Sequence, residues 1–284
     1  MSKVHINPTA NSNGEPILVT KHDKVAIIQL NAPPMNLFSL DTVDALEKIL
    51  PELESDNNVR CIVLRGGPKH FSGGANLRQI QGGAVGKRDW SKFQYRGAPV
   101  APEEAFLRQR MALCNYVEAM RKPTIASIQG ACVGGGLELS LCCTFRIASN
   151  GCKIGLPEIN RGFPPAWGGT VRLVKTVGKP RAMEMALRGR LLDAPEAEKI
   201  GLVHFATKPE ELEKVTMELA VELSKKAPLA VAGIMEAVIN GADQPVLEGV
   251  EIEYRAQRKS AGSRDSKEGI KAFFEKREAV FIGK

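Results

Sequence analysis

Residues 130–173 combine a run of three glycines with two glutamates. The glycines, at 134–136, end two residues before Glu138, and Glu158 follows between a proline and an apolar residue. Glycine lets backbone N–H groups approach a ligand closely, and two carboxyl groups in apolar surroundings can be tuned to opposite protonation states. Adding or removing water beside a carbonyl group requires this combination of hydrogen-bond donors and proton carriers.

Three further motifs accompany the glycine run. FSGGANL occupies 71–77, GRLLDAPEAEKIGLV occupies 189–203, and DSKEGIKAFFEKR occupies 265–277. In this order the motifs resemble those of the enoyl-CoA hydratase family, the crotonases, and the resemblance extends over residues 17–284. It implies a reversible hydration of a 2,3-unsaturated acyl-CoA.

The resemblance also implies a fold. Members of the family have an α/β crotonase (ClpP-like) fold, a spiral of strand–strand–helix repeats with a C-terminal helical region that packs in trimers, often as a dimer of trimers. We therefore expect an N-terminal extension at 1–16, the spiral core at 17–208 and the helical region at 209–284. A homotrimer or homohexamer is the expected assembly.

The resemblance assigns roles to residues of the central motifs. The backbone amides of Ala75 and Gly135 correspond to the pair that stabilises the enolate oxygen. Glu138 corresponds to the ionised base that orients water, and Glu158 to the acid that protonates the α-carbon, with the roles reversed in dehydration. Taken singly, each glutamate could equally be a solvated first-turn or loop carboxylate, but together beside two donor positions they favour catalysis.

Two positions depart from the usual pattern of the family. Asn76 stands where an aspartate is common, and Pro165-Ala166-Trp167-Gly168 stands where Pro-Gly-Ala-Gly is frequent. Trp167 could narrow the substrate pocket near the reacting carbons or displace the catalytic water, or it could simply pack in the core. These interpretations stay open at the level of sequence.

Four residues match positions that hold the CoA part of the substrate in the family. Lys69 and Arg78 flank the first oxyanion motif and match residues that meet CoA phosphates. Phe273 and Lys276 match a C-terminal pair that a neighbouring subunit lends to the adenine and its phosphate. Each basic residue alone would more simply be a solvated surface charge.

Other functions remain compatible with the sequence. Isomerisation, decarboxylation and retro-aldol cleavage of acyl-CoA thioesters occur on the same scaffold, although many such enzymes keep only one glutamate. A non-catalytic RNA-binding relative is a different class, with Lys225-Lys226 and 255–259 as its modest basic clusters. We expect no nucleic acid, because basic residues are not interleaved with aromatics as in stacking platforms.

Composition sets broader limits. The 284 residues are 43% hydrophobic and 25% charged, with a formal net charge of +7, which suits a globular protein that binds a phosphate-rich ligand. Six cysteines lie mostly in apolar runs and four histidines are scattered, so we expect core thiols and no metal site. No cofactor is expected beyond coenzyme A as part of the substrate.

The N-terminal residues and the apolar runs bear on targeting and membrane insertion. The first 16 residues lack an apolar core or an arginine-rich amphipathic pattern, and no apolar run reaches membrane-spanning length. We therefore expect a cytoplasmic protein without a membrane segment.

The elements that must position these residues follow from hydrophobic periodicity. Strands are predicted at 24–30, 61–64, 124–128 and 145–148, and helices at 39–49 and 134–142. Helices are predicted later in the chain at 180–188, 195–200, 209–226, 228–240 and 245–260. The Gly- and Pro-rich segment 79–106 is either a surface loop that is partly mobile or a lid over the acyl pocket.

Overall fold

The strands and helices of a computed structural model, which describes residues 14–284, alternate early in the chain and give way to helices late. Residues 1–13 of the expected N-terminal extension lie outside this described part. The strands are β1 (Ile17–His22), β2 (Val25–Leu30), β3 (Cys61–Gly66), β4 (Gln94–Tyr95), β5 (Ala98–Pro99), β6 (Thr124–Ile128), β7 (Ala131–Val133), β8 (Phe145–Ser149), β9 (Lys153–Gly155) and β10 (Phe205–Thr207). The helices are α1 (Leu40–Ser55), α2 (Leu77–Gln81), α3 (Ala84–Lys87), α4 (Pro102–Ala119), α5 (Gly135–Leu141), α6 (Gly169–Arg188), α7 (Ala194–Lys199), α8 (Leu212–Ser224), α9 (Pro228–Gly241), α10 (Val246–Ser260) and α11 (Arg264–Glu275).

The largest sheet contains six strands in the order β1-β2-β3-β6-β8-β10. β1 is antiparallel to β2, and the other neighbours are parallel. Parallel neighbours need long crossover connections, and α1 and α4 lie in two of them. The carboxyl ends of β3 and β6 therefore lie at one edge of the sheet, where the segments that follow them can meet.

Both faces of this sheet are buried, which explains its continuous apolar strands. Val25, Ile27 and Val63 pack with helix α8 on one face. Ile28 and Leu64, which point the other way because side chains alternate along a strand, join the larger core with α1. The sheet is thus a rigid support for the segments at its edge.

Most of the predicted elements are confirmed. Helix α1 begins after Ser39, whose hydroxyl accepts a hydrogen bond from the Thr42 amide, and it continues through Pro51 to Ser55, beyond the predicted end at 49. Helix α6 begins at Gly169 and is interrupted at Gly178, so it starts earlier than predicted. The strands β2, β3, β6 and β8 and the helices α7 to α10 lie where the periodicity placed them.

The segment 79–106 has more structure than a loop. It contains the end of α2, all of α3, the β4–β5 hairpin and the start of α4. Trp90 is buried in a small cluster with Val85 and Phe106, and its indole N–H donates to the Val85 carbonyl at 2.7 Å. The loop interpretation was therefore wrong in this respect, and the lid over the acyl pocket stays a prediction.

The cysteines, the candidate metal ligands and the helices bear on three further expectations. All six cysteines are buried with free thiols. Across residues 14–284, no three histidine, cysteine or acidic side chains come together as a metal site would require. None of the helices in this range has the length and hydrophobicity of a membrane span.

Candidate active site

Two segments run side by side at the edge of the sheet and carry the predicted donors. The Ser72 amide donates to the Ala131 carbonyl at 2.9 Å, and the Val133 amide donates to the Ser72 carbonyl at 3.1 Å. A Cβ atom added to Gly74 would lie 3.1 Å from the amide nitrogen of Gly135. The backbone at 74–75 is therefore packed against the start of helix α5.

The amides of Ala75 and Gly135 both lack an acceptor among residues 14–284. Hydrogen bonds on either side hold Ala75 in place, from the Phe38 amide to the Gly74 carbonyl and from the Asn76 amide to the Phe38 carbonyl. Gly135 is the first residue of α5, where amides have no partner within a helix. Two N–H groups are thus left to bind a ligand oxygen.

Glu138 lies one turn into α5 and is only 2% exposed. Its Oε1 atom accepts hydrogen bonds from the amides of Trp167 at 2.7 Å and Gly169 at 3.0 Å. A Cβ atom on Gly169 would lie 2.6 Å from Cγ of Glu138, so only glycine permits this approach. Gly168 provides the turn with φ of +96°.

The ionisation of Glu138 reflects opposing effects. Burial is the largest effect and raises the pKa of Glu138, the charge of Glu158 also raises it, and the pKa that results from all the effects is about 7. The amides of Trp167 and Gly169, and the charge of Arg172, act in the opposite direction because they stabilise the carboxylate. Glu138 can therefore change its protonation state near neutral pH.

Glu158 opens a short 3-10 helix, Glu158–Arg161, which follows strand β9. Burial raises the pKa of the Glu158 carboxyl, against weaker contributions from its own backbone amide and from Arg161. A Cβ atom on Gly134 would lie 2.9 Å from Oε1 of Glu158. Its Oε2 atom is buried without a hydrogen-bond partner among residues 14–284. Both glutamates therefore lie beside the glycine run.

Trp167 is buried directly against the glycine run. A Cβ atom on Gly135 would overlap the six-membered ring of Trp167. The indole also packs edge-to-face on Phe38, with ring centroids 5.6 Å apart. The core-packing interpretation of Trp167 is therefore confirmed, and narrowing of the substrate pocket stays a prediction.

Comparison with known proteins places the chain in a family. A sequence profile described as enoyl-CoA hydratase/isomerase matches residues 20–284. The chain belongs to the enoyl-CoA hydratase/isomerase family. It is 34% identical over 272 residues to a crotonyl-CoA hydratase of Syntrophomonas wolfei, covering 95% of this chain and 99% of the relative.

Other similar proteins are also named enoyl-CoA hydratases. A short-chain-enoyl-CoA hydratase of Clostridium acetobutylicum is 30% identical over 263 residues, which cover 92% of this chain and 95% of the relative. The crystal structure of an enoyl-CoA hydratase from Bacillus anthracis has a TM-score of 0.85 at 32% identity, covering 95% of this chain and 100% of that one. The predicted crotonase fold is therefore confirmed.

The residues predicted to hold CoA lie at the surface of this family member. Lys69 is exposed after β3, and Arg78 is exposed on α2, just after Asn76, which caps that helix. Phe273 is 78% exposed on α11 and Lys276 is exposed at its end. Within residues 14–284 no hydrogen bond or ion pair joins the second pair to the first. The contribution of Phe273 and Lys276 from a neighbouring subunit stays a prediction.

Two site residues were not found from the sequence. Gly169 supplies the second amide to Glu138, and Arg172 donates from Nη1 to the Trp167 carbonyl at 3.1 Å. Nη2 of Arg172 donates to Glu118 at 2.7 Å, which ties the turn at 167–169 to α4. The Gly168-Gly169 pair before an apolar segment was the available signal for this turn.

Proposed function

We propose that this member of the family is an enoyl-CoA hydratase, which reversibly adds water across the 2,3 double bond of an enoyl-CoA. The observation that carries the proposal is the pair of buried glutamates, Glu138 and Glu158, beside two amides that have no acceptor within residues 14–284. Acid–base addition to a conjugated thioester needs one group to accept a proton from water and another to deliver a proton to carbon.

The amides of Ala75 and Gly135 act on the thioester carbonyl. As water attacks the β-carbon, negative charge develops on this oxygen, and the two N–H groups are proposed to donate hydrogen bonds to it. Preorganised donors of this kind stabilise the transition state, and removal of one typically costs about 3–4 kcal/mol. Helix α5 also begins at Gly135, so the positive end of its dipole faces the same oxygen.

The two glutamates divide the proton transfers. Oε1 of Glu138 accepts two backbone hydrogen bonds, which hold the carboxyl group and offset part of the effect of burial, so that with a pKa of about 7 a substantial fraction is ionised at neutral pH and Oε2 is left to accept the proton of water. Burial favours the neutral form of Glu158, whose proton goes to the α-carbon. The hydroxyl joins the β-carbon, and dehydration reverses both transfers.

The chain supplies every group in this mechanism, so coenzyme A enters only as part of the substrate. Lys69 and Arg78 are proposed to meet the CoA phosphates. Phe273 and Lys276 are proposed to approach the adenine from a neighbouring subunit, in a homotrimer or homohexamer. Their exposure leaves them accessible for this purpose.

The test is a hydration assay in isotopically labelled water. With crotonyl-CoA in H2(18)O and D2O, we expect 18O at the β-carbon and deuterium at the α-carbon, with loss of the conjugated thioester absorbance. Glu138→Gln and Glu158→Gln should each lower kcat by roughly 100- to 10,000-fold. Glu218→Gln changes an exposed glutamate of α8 and serves as the control.

Two outcomes would contradict the proposal. Movement of the double bond without 18O incorporation would identify an isomerase. Absence of turnover on a broad series of enoyl-CoA thioesters, together with RNA binding, would favour the non-catalytic alternative. Two residues of the candidate RNA surface are already engaged, since Lys226 pairs with Glu222 at 3.2 Å and Lys259 with Glu236 at 2.7 Å.

A further inference from the structure

Arg110 on helix α4 is completely buried but only partly hydrogen-bonded. Its Nη1 atom donates to the Phe106 carbonyl at 3.0 Å, and its guanidinium stacks 3.4 Å from the centroid of the Phe106 ring. Nε and Nη2 are also buried and have no hydrogen-bond partner among residues 14–284. Buried polar groups are nearly always hydrogen-bonded, so we expect a ligand atom to accept hydrogen bonds from these two atoms.

The nearest acidic groups do not bind Arg110. Asp44 accepts hydrogen bonds from Arg88 and from Gln109, each at 2.9 Å, and Glu47 accepts from Gln109 at 2.6 Å. Burial, and to a smaller extent the charge of Arg88, lower the pKa of Arg110, the two carboxylates raise it, and the resulting pKa is about 10. The guanidinium therefore remains charged at neutral pH, and no carboxylate within residues 14–284 pairs with it directly.

The free atoms have a geometry that suits one kind of ligand. Nε and Nη2 form one edge of the planar guanidinium, with two parallel N–H bonds. Such an edge matches the two oxygens of a carboxylate, and arginine is the side chain that binds carboxylates in this bidentate manner. An alkyl group in the same place would leave both N–H groups unpaired.

Trp167 connects Arg110 to the proposed active site. Its ring centroid lies 5.8 Å from Cζ of Arg110. The same ring lies against Gly135, whose amide is one of the two proposed oxyanion donors. An acyl chain that starts at the thioester carbonyl and follows the Trp167 ring therefore ends near Arg110.

We propose that the substrate is a 2-enoyl-CoA whose acyl chain ends in a carboxylate, and that Nε and Nη2 of Arg110 bind this carboxylate. The inference rests on the proposed hydratase activity and names its substrate class. Arg110 is then a specificity residue at the distal end of the acyl pocket, separate from the groups that transfer protons. Sites built to pair with a polar group reject analogues that lack it, because their own buried groups would stay unpaired.

The experiment compares two substrates of the same shape. Glutaconyl-CoA ends in a carboxylate, and 5-methylhex-2-enoyl-CoA carries an isopropyl group in its place; longer homologues of both extend the comparison. The wild-type protein should show kcat/KM at least about 10-fold higher for the acid. Arg110→Met should lower kcat/KM for the acid on the order of 100-fold and change that for the neutral substrate by less than about 3-fold.

Arg108→Met is the matched control on the same helix. Arg108 lies partly exposed and pairs with Glu104 at 2.6 Å, so its loss should leave the ratio between the two substrates unchanged. Arg110→Lys keeps the charge but loses the bidentate edge, and it should retain an intermediate preference for the acid.

The outcomes separate this inference from the proposed function. Hydration of the neutral substrate with equal or higher kcat/KM than every acid would overturn the role of Arg110 and leave the hydratase proposal intact. Hydration of neither series would overturn the hydratase itself. If Arg110→Met does not fold, competition between glutaryl-CoA and 5-methylhexanoyl-CoA for the wild-type protein decides, since only the bidentate site predicts tighter binding of the acid.

Discussion

The protonation state of Glu138 depends on its surroundings. Nearly complete burial opposes its charge, while the amides of Trp167 and Gly169 favour that charge. The folded chain still binds the proton more tightly than a solvated glutamate would, because burial is the larger effect. A carboxylate at this position above neutral pH therefore destabilises the fold.

Glu138→Gln should consequently stabilise the protein in a pH-dependent way. The rise in pKa from 4.5 to about 7 corresponds to about 3 kcal/mol, absent below pH 4.5 and complete above pH 7. Relative to the wild type, the gain of the variant in the free energy of unfolding should increase from about 1 kcal/mol at pH 5 to about 3 kcal/mol at pH 8. Urea denaturation at a fixed protein concentration measures this, with Glu218→Gln as control. An equal gain at both pH values would show that ionisation is not the cause.

Gly135 and Trp167 should be coupled through a steric contact. In Gly135→Ala the new methyl group overlaps the indole, so the amide must shift, and we expect kcat/KM to fall roughly 100-fold or more. Trp167→Ala removes the obstacle, so the double variant should recover at least about 10-fold relative to Gly135→Ala.

A double-mutant cycle on kcat/KM tests this coupling. Trp167→Ala alone supplies the fourth corner of the cycle and accounts for any direct effect of the indole on the substrate. Strictly additive effects of the two substitutions would show that the indole does not limit residue 135.

At the scale of elements, the site depends on the first turns of two helices. The glycine run and the apolar residues after it predicted the start of α5, because the signal lies within a few consecutive residues. The start of α6 at Gly169 was missed, since Gly168-Gly169 resembles a loop and the partner of this turn is Glu138, 31 residues earlier. Such pairings form through tertiary contacts and leave no local pattern.

Dependence on tertiary contacts also explains why helix α4 was not predicted. Its interior face carries Gln109 and Arg110 in place of apolar residues, so hydrophobic spacing does not predict a helix there. The cluster around Trp90 contains residues from both sides of the β4–β5 hairpin. The Gly and Pro content of this segment had favoured a loop. Sequence motifs located the glutamates, but the burial of Arg110 depends on the assembled fold.

Arg172 is expected to act on catalysis by positioning the first turn of α6. Arg172→Met removes its bond to the Trp167 carbonyl and its pair with Glu118. We expect kcat/KM to fall roughly 10- to 100-fold as the amides that hold Glu138 move. Because the charge of Arg172 lowers the pKa of Glu138, the acid limb of the pH profile should also shift to higher pH.

Glu118→Gln separates positioning from simple stability. Glu118 is partly exposed, so loss of its charge should cost only about 1 kcal/mol in the free energy of unfolding and leave the pH profile in place. A loss of activity in Arg172→Met without movement of the acid limb would assign Arg172 a structural role alone.

At the scale of the whole molecule, the ordered motifs predicted the family and fold, although the order of strands in the sheet is not visible in any segment. The C-terminal helices carry the remaining unexplained feature, a series of exposed apolar side chains. Scattered exposed apolar residues are normal, but a large contiguous group marks an interaction surface. The exposed apolar residues on α9, α10 and α11 are Ile234, Val238, Val246, Leu247, Val250, Tyr254, Ile270, Phe273 and Phe274.

These helices provide the test of the predicted homotrimer or homohexamer. Leu247 on α10 is 79% exposed in the single chain, and Leu247→Asp would place a charge in any apolar interface formed there. A buried unpaired charge is costly, so we expect the assembly to dissociate toward the monomer at micromolar concentration. Light scattering after size-exclusion chromatography gives the mass of each species. Val19→Asp, on the edge strand β1, controls for a new exposed charge and should leave the mass unchanged. If Leu247→Asp keeps the wild-type mass, subunits do not meet through this part of α10, and the contribution of Phe273 and Lys276 to a neighbouring site loses its structural basis.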